Sequence, residues 1–286
     1  MRLGSTAVVT GSTGGIGSAI CEELAKDDWS LILVNRSNSK ASAQRAQLLE
    51  KYPSIRVDLI QTDLMDLTRI EESCGEICEK VGEIAALYCV AGVLTSERRL
   101  SVQGHESHYA VNVLANYVLI KNLKSSMAAS EDGETPMIVS MSSSAIKSGD
   151  LVVDGLSNPP KIGGLMGAYA QSKMALTAMV AEMARELEMS GVLIRAIDPG
   201  PTKTSMTSGG DGMPLILRWL APILFSDAHQ QAAKIVAAAD PAAFGQGTGT
   251  FVSSWKEQKL PKSIADGSKR AELMRQIQID CQVSSS

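Results

Sequence analysis

The chain has 286 residues, 44% hydrophobic and 4% aromatic, and its 27 basic and 31 acidic side chains give a net charge of −4. That length supports one large α/β domain or two ordinary ones. The charge leaves no electrostatic footprint for nucleic acid, and five cysteines without C-x-x-C spacing point to a reducing compartment.

"MRLGS" runs straight into an apolar strand, "TAVVT" (6 to 10), with no signal-peptide core, so a cytoplasmic location is expected. "VVTGSTGGIGSAI" then sets Gly11, Gly15 and Gly17 between that strand and a helical pattern over 15 to 27. Glycines at such a junction let the backbone turn tightly and approach a pyrophosphate, which faces the amides of the helix N-terminus. Gly11, Ser12, Thr13, Gly15, Ile16 and Gly17 therefore read as a phosphate-binding loop. The second strand, "SLILVN" (30 to 35), ends at Asn35 followed by Arg36. With no carboxylate there to take a ribose 2′-OH, and an arginine suited to a 2′-phosphate, the cofactor reads as NADP(H).

Further strands are expected at 56 to 62, 85 to 90, 136 to 142, 192 to 198 and 249 to 253, with helices at 38 to 51, 66 to 80, 102 to 127 and 167 to 190. Most strands are continuously apolar, as parallel strands buried on both faces are. The alternation implies right-handed crossovers and a single doubly wound α/β domain spanning 1 to 286, with seven mainly parallel strands. "GQGTGT" (245 to 250) opens no helix and reads as a loop. The stretches 143 to 166 and 200 to about 230 break the rhythm; both follow a strand, on the side where open α/β sheets bind ligands. A helical tail is expected over about 262 to 286.

Two Y-x-x-x-K pairs occur, Tyr117 with Lys121 and Tyr169 with Lys173. Each sets a phenol and an ammonium on one helix face, and spacing alone does not choose between them.

Taken with the glycine loop, these features resemble the short-chain dehydrogenase/reductase family over roughly residues 4 to 255, nearest to its retinol dehydrogenase and carbonyl reductase members. The resemblance implies a Rossmann-type fold. "TGSTGGIG" is similar to the family's cofactor loop, and Asp63, with Leu64, stands where the adenine contact is made. In "CVAG", Ala91 and Gly92 line the cofactor, while Val90 replaces the family's usual asparagine. "DPGPTKT" matches the segment that closes over the nicotinamide, so Pro199, Gly200, Thr202 and Thr204 join the cofactor set. Asn112 in "VNVLANY", Ser143 in "IVSMSSSA" and the Tyr169–Lys173 pair in "YAQSK" match the catalytic tetrad. In family order the catalytic pair follows the serine, which selects Tyr169 and Lys173 and leaves Tyr117 to packing.

The chemistry expected is an NADP(H)-dependent alcohol/carbonyl oxidoreductase. Tyr169 is the acid/base, its free pKa of about 10 lowered by the Lys173 ammonium. Ser143 holds the substrate oxygen, and Asn112 anchors a water linking Lys173 to solvent. Tyr169 and Lys173 also contact the cofactor. An NADP(H)-binding sensor of the same fold is the alternative. Sugar-nucleotide epimerase chemistry fits the glycine spacing less well. "HESH" at His105 and His108 lacks H-E-x-x-H spacing, so no metal is expected. The serines 142 to 144 lack a G-x-S-x-G elbow. "PLILRWLAPILF" (214 to 225) is too short to span a bilayer and carries Arg218. Following a hinge of Gly209, Gly210 and Gly212, it reads as part of a substrate lid over about 201 to 230. Met206, Met213, Leu217 and Trp219 would then face a medium-to-large apolar carbonyl compound or alcohol. A homodimer or homotetramer is compatible with this reading.

Overall fold

The computed structural model describes residues 5–128, 135–147, 149–162, 167–202 and 226–282. Seven parallel strands form its centre: β1 (Thr6–Thr10), β2 (Ser30–Asn35), β3 (Val57–Gln61), β4 (Ala86–Cys89), β5 (Met137–Met141), β6 (Leu193–Ile197) and β7 (Thr250–Ser253). Their order across the sheet is β3-β2-β1-β4-β5-β6-β7. Strands β1, β4, β5 and β6 are buried along nearly their whole length, which accounts for their unbroken apolar runs.

Among the described residues the sheet has eight strands, one more than the seven expected. Lys256–Gln258 forms β8, antiparallel to β7. The two-residue turn Ser254–Trp255 has φ of 54° and 60°, the left-handed geometry whose twist matches paired strands. Three polar residues at a sheet edge carry no apolar signal and also protect that edge from further pairing.

Helices cover both faces of the sheet. On one lie α1 (Gly15–Lys26), α2 (Asn38–Lys51) and α6 (Ala228–Ala239). On the other lie α3 (Leu67–Lys80), α4 (107–123), α5 (Ala168–Met189) and α7 (Gly267–Gln282). The helix expected over 102 to 127 is shorter. Here α4 runs from Ser107–Tyr109 through a π-helical turn, Ala110–Leu114, into Ala115–Leu123. Ahead of it Gly104 turns at φ 86°, and Glu106 caps the helix by accepting from the His108 amide. Helix α6 begins at the end of the stretch expected to be irregular and runs mostly beyond it, where no element is expected from the sequence; Asp227 caps it through the His229 and Gln230 amides.

The first strand–helix connections leave β1 and β4 in opposite directions, so a crevice opens between their carboxyl ends. Helix α7, within the expected tail, is tied back by polar bonds. The Tyr109 hydroxyl donates to Asp280 Oδ2 at 2.9 Å, and His105 Nε2 lies 3.3 Å from the Asp280 carbonyl. Among the described residues, no helix is long and apolar enough to cross a membrane.

Candidate active site

Two adjoining cavities follow the crevice, of about 400 and about 270 Å³. They share Gly11, Thr13, Arg36, Ala91, Gly92 and Val93, so they form one continuous cleft. At its floor Gly11 turns at φ 64°, and a Cβ there would come within 2.9 Å of Ala91 Cα. A Cβ on Gly17 would stand 2.3 Å from the Gly11 carbonyl oxygen. Only glycine fits either place. Gly14 caps α1 with no side chain, and the first turn holds no acidic residue, so the helix presents its amides and positive end to the cleft. Gly15, Ile16 and Gly17 line the same wall.

Ser12 acts differently from the expected cofactor contact, while Asn35 both lines the smaller cavity and braces the glycine loop. Ser12 is fully buried; its hydroxyl donates to Gln44 at 2.8 Å and accepts from the Asn35 amide at 2.6 Å. The Asn35 side-chain Oδ1 accepts from the Thr13 backbone amide at 3.1 Å and from the Thr13 hydroxyl at 3.3 Å. These side chains brace the glycine loop, because a polar group buried behind it is satisfied only by the loop itself. Arg36 is exposed and lines both cavities. Lys40 joins it at the smaller cavity with Asp63 and Leu64. The sequence reading missed Lys40, whose signal was a second cation in the first turn of α2, four residues beyond Arg36.

At the larger cavity's inner end stand Tyr169, Lys173, Met141 and Pro199. Both Tyr169 and Lys173 belong to the first turns of α5. Lys173 is 5% exposed, and its Nζ donates to the Met141 carbonyl at 2.6 Å. Burial lowers it from its ordinary 10.5 to about 8, against the pull of the Asp198 carboxylate. Tyr169 does not show the expected lowering. Burial raises its phenol and the Asp198 charge adds to this, while a hydrogen bond with Ser143 opposes both. Lys173 fails to counter the burial because its Nζ is committed to Met141 and lies 5.8 Å from the Tyr169 ring centre.

Ser143 and Ser142 part company just after β5. Ser142 is buried against Thr177 at 2.6 Å, whereas half-buried Ser143 reaches Tyr169. Asn112 lies in the π-helical turn, fully buried. Its Oδ1 accepts from the Val93 amide at 2.9 Å and its Nδ2 donates to Ser172 at 3.0 Å. It makes no direct bond to Lys173, but both abut Gly92: a Cβ there would lie 3.0 Å from Asn112 Oδ1 and 3.5 Å from Lys173 Nζ. At Val90 the backbone is held from β1 instead, since Thr10 Oγ1 accepts from the Val90 and Ala91 amides at 3.1 and 3.2 Å.

After β6, the Asp198 carboxylate accepts from the Gly200 amide at 3.0 Å and from Ser253 at 2.9 Å, and Gly200 turns at φ 70°. Thr202 is buried and pairs with Ser226. Thr204, the glycine hinge and the apolar lid residues Met206, Met213, Leu217 and Trp219 lie outside the described residues. Tyr117 and Lys121 border a separate cavity together with Met274 and Gln278 of α7, away from the cleft. All five cysteines are free, and burial pushes the Cys74 and Cys89 thiols up to about 12. Among the described residues no cluster of three His, Cys, Asp or Glu side chains could hold a metal ion.

The short chain dehydrogenase family profile matches residues 5–211. Retinol dehydrogenase 13 of Homo sapiens is 30% identical over 203 residues, covering 71% of this chain and 60% of that protein. Polyprenol dehydrogenase of Homo sapiens is 28% identical over 203 residues, covering 70% of this chain and 61% of its own length. The chain thus spans about 60% of the length of these relatives. A crystal structure of an uncharacterised protein from Mycobacterium paratuberculosis superposes with a TM-score of 0.75 at 22% identity, covering 99% of this chain and 94% of the other. A short chain dehydrogenase from Burkholderia cenocepacia in complex with NADP gives 0.69 at 24% identity, covering 88% and 96%. At these identities the structural likeness is one of fold.

Proposed function

Because this chain belongs to the short-chain dehydrogenase family, we propose that it is an NADP(H)-dependent oxidoreductase acting on an apolar aldehyde, ketone or alcohol. The observation that carries the proposal is the pairing of Tyr169 and Lys173 at the inner end of a glycine-floored cleft, with Ser143 hydrogen-bonded to Tyr169.

The residues present fit a dinucleotide. Gly11 and Gly17 leave a floor that a Cβ would fill, the N-terminus of α1 supplies amides for a pyrophosphate, and Arg36 and Lys40 supply positive charge for a 2′-phosphate. Asp63 and Leu64 would border the adenine end. Ala91, Gly92, Pro199, Gly200 and Thr202 would flank the nicotinamide end. When bound, the cofactor supplies or takes up the hydride.

The chain's own residues handle the proton. Tyr169 holds a proton on its phenolic oxygen and gives it to the substrate oxygen in reduction, or takes it back in oxidation. Ser143 hydrogen-bonds the same oxygen and stabilises its developing charge. The side chain of Lys173, pinned to Met141, lies beside the Tyr169 ring. Asn112 fixes the backbone at Val93 and anchors the solvent link to Lys173. With burial raising the phenol, Tyr169 rests protonated, as the donor of the reductive direction must; in the oxidative direction the positive charge of an oxidised cofactor would favour the phenolate.

Val90, Val93, Met141 and Pro199 give the reacting end an apolar lining. The relatives' names specify retinol and polyprenol, both apolar alcohols. The test is NADPH oxidation over a homologous series of aliphatic and aromatic aldehydes. Catalytic efficiency is expected to rise with apolar size, by up to about 0.8 kcal/mol per buried methylene; a flat or falling series refutes the apolar site.

A further inference from the structure

His108 takes no part in the scheme above, yet it is fully buried one helix away from Tyr169. Its ring packs edge-on against the Tyr169 ring, with centres 6.2 Å apart and planes at 74°, within the favourable range for an aromatic pair. Both ring nitrogens are engaged. The Thr95 backbone amide lies 3.2 Å from Nε2; since an N–H can only donate, Nε2 carries the lone pair. The ring proton therefore sits on Nδ1, which faces Glu106 Oε1 at 3.0 Å.

Glu106 is itself fully buried and fully used. Its Oε1 also accepts from Ser107 at 2.8 Å, and its Oε2 accepts from the His108 amide at 2.9 Å. These bonds hold the carboxylate charged despite its burial. The imidazole thus has one tautomer and one orientation. One side grips the loop after β4, which lines the cleft at Val90 to Val93, and the ring abuts the phenol. The other charged groups near Tyr169 are Lys173 on α5 and Asp198 after β6.

We infer that His108, locked by Glu106 and the Thr95 amide, is a positioning residue that sets the plane of the Tyr169 ring and keeps water from its flank. The inference rests on Tyr169 being the acid/base of the reaction. A phenol must meet a substrate oxygen at hydrogen-bonding distance, and a small misplacement there costs rate and not cofactor affinity.

The experiment compares the wild type with His108→Gln, which keeps an acceptor for Thr95 but has no ring, and His108→Phe, which keeps a ring without the lock. Three quantities are read: kcat, NADPH dissociation constant by fluorescence, and the Tyr169 titration by ultraviolet difference against Tyr169→Phe. His108→Gln is expected to lower kcat by about tenfold or more, with NADPH affinity within about twofold, and to move the phenol titration down as water enters. His108→Phe should fall between the other two. A folded His108→Gln with wild-type kcat and an unmoved titration overturns the inference, as does a His108→Phe no better than His108→Gln. If His108→Gln does not fold, His108→Phe decides: kcat below wild type with a nearly unmoved titration supports the inference, and unchanged kcat overturns it. If the wild type reduces no carbonyl compound, the function proposed above has failed, and the phenol titration decides the role of His108 by itself.

Discussion

Lys173 pays for its place in the site, and replacing it with methionine should make a more stable and inactive protein. The ammonium is 5% exposed, and its pKa drops from 10.5 to about 8 through burial. Below pH 8 both the folded and unfolded chains carry the proton, so the folded state bears the full cost of the buried charge, about 3 kcal/mol. Between pH 8 and 10.5 the folded chain releases that proton while the unfolded chain keeps it, so stability rises with pH across this window. Lys173→Met removes the charge at similar volume but leaves the Met141 carbonyl without its 2.6 Å donor, a loss of about 1 kcal/mol. The net gain at pH 7 is therefore about 2 kcal/mol. Urea denaturation of both proteins without added cofactor, repeated from pH 7 to above 10, measures the difference directly. Tyr109 and the exposed lysines titrate alike in both, so they cancel. The gain should shrink as pH climbs through 8 and vanish or reverse near 10.5. A variant less stable at pH 7, or a difference that does not change with pH, would refute a charged, buried Lys173.

Tyr169→Phe should retain its fold and NADPH affinity and lose at least about a hundredfold in kcat, whereas Tyr117→Phe, altered on the far side of α4, should keep near-normal turnover in the same assay. Equal kinetics for the two would undo the assignment of the acid/base. Arg36→Ala should raise the Michaelis constant for NADPH by about tenfold, equivalent to roughly 1–3 kcal/mol for a lost charged bond, and leave that for NADH nearly unchanged. An equal effect on both cofactors would rule out a 2′-phosphate contact.

Most of the sheet was legible because strands buried on both faces must be apolar throughout, and "TAVVT" or "SLILVN" has no other comfortable state in water. Strand β8 was not, since its three polar residues are specified by a left-handed Ser254–Trp255 turn and by pairing with β7. Helix α4 was drawn too long because Gly104 and the Glu106 cap act through backbone geometry that hydrophobic periodicity does not record. In the site, glycine spacing and the Tyr169–Lys173 interval announced a cleft, while the use of Ser12 and Asn35 as braces emerged only from what each touches. The direction of the Tyr169 shift was misjudged for a related reason. Spacing brings an ammonium near the phenol, but burial and the competing Met141 carbonyl depend on the packed chain. The spacing of His105 and His108 speaks only to metal binding and says nothing of a ring wedged beside a tyrosine.

The tie between Tyr109 and Asp280 has a consequence for how the molecule is made. Tyr109 sits three residues before Asn112 on α4, yet its hydroxyl finds its acceptor 171 residues further along the chain. At synthesis rates of ~5–20 residues per second, about ten to thirty seconds separate the emergence of the two partners from the ribosome. During that interval the Tyr109 phenol, on the face that α7 will cover, has only water as its partner. Helix α4, which carries Asn112, is therefore among the earlier parts to be translated and among the last to be finished.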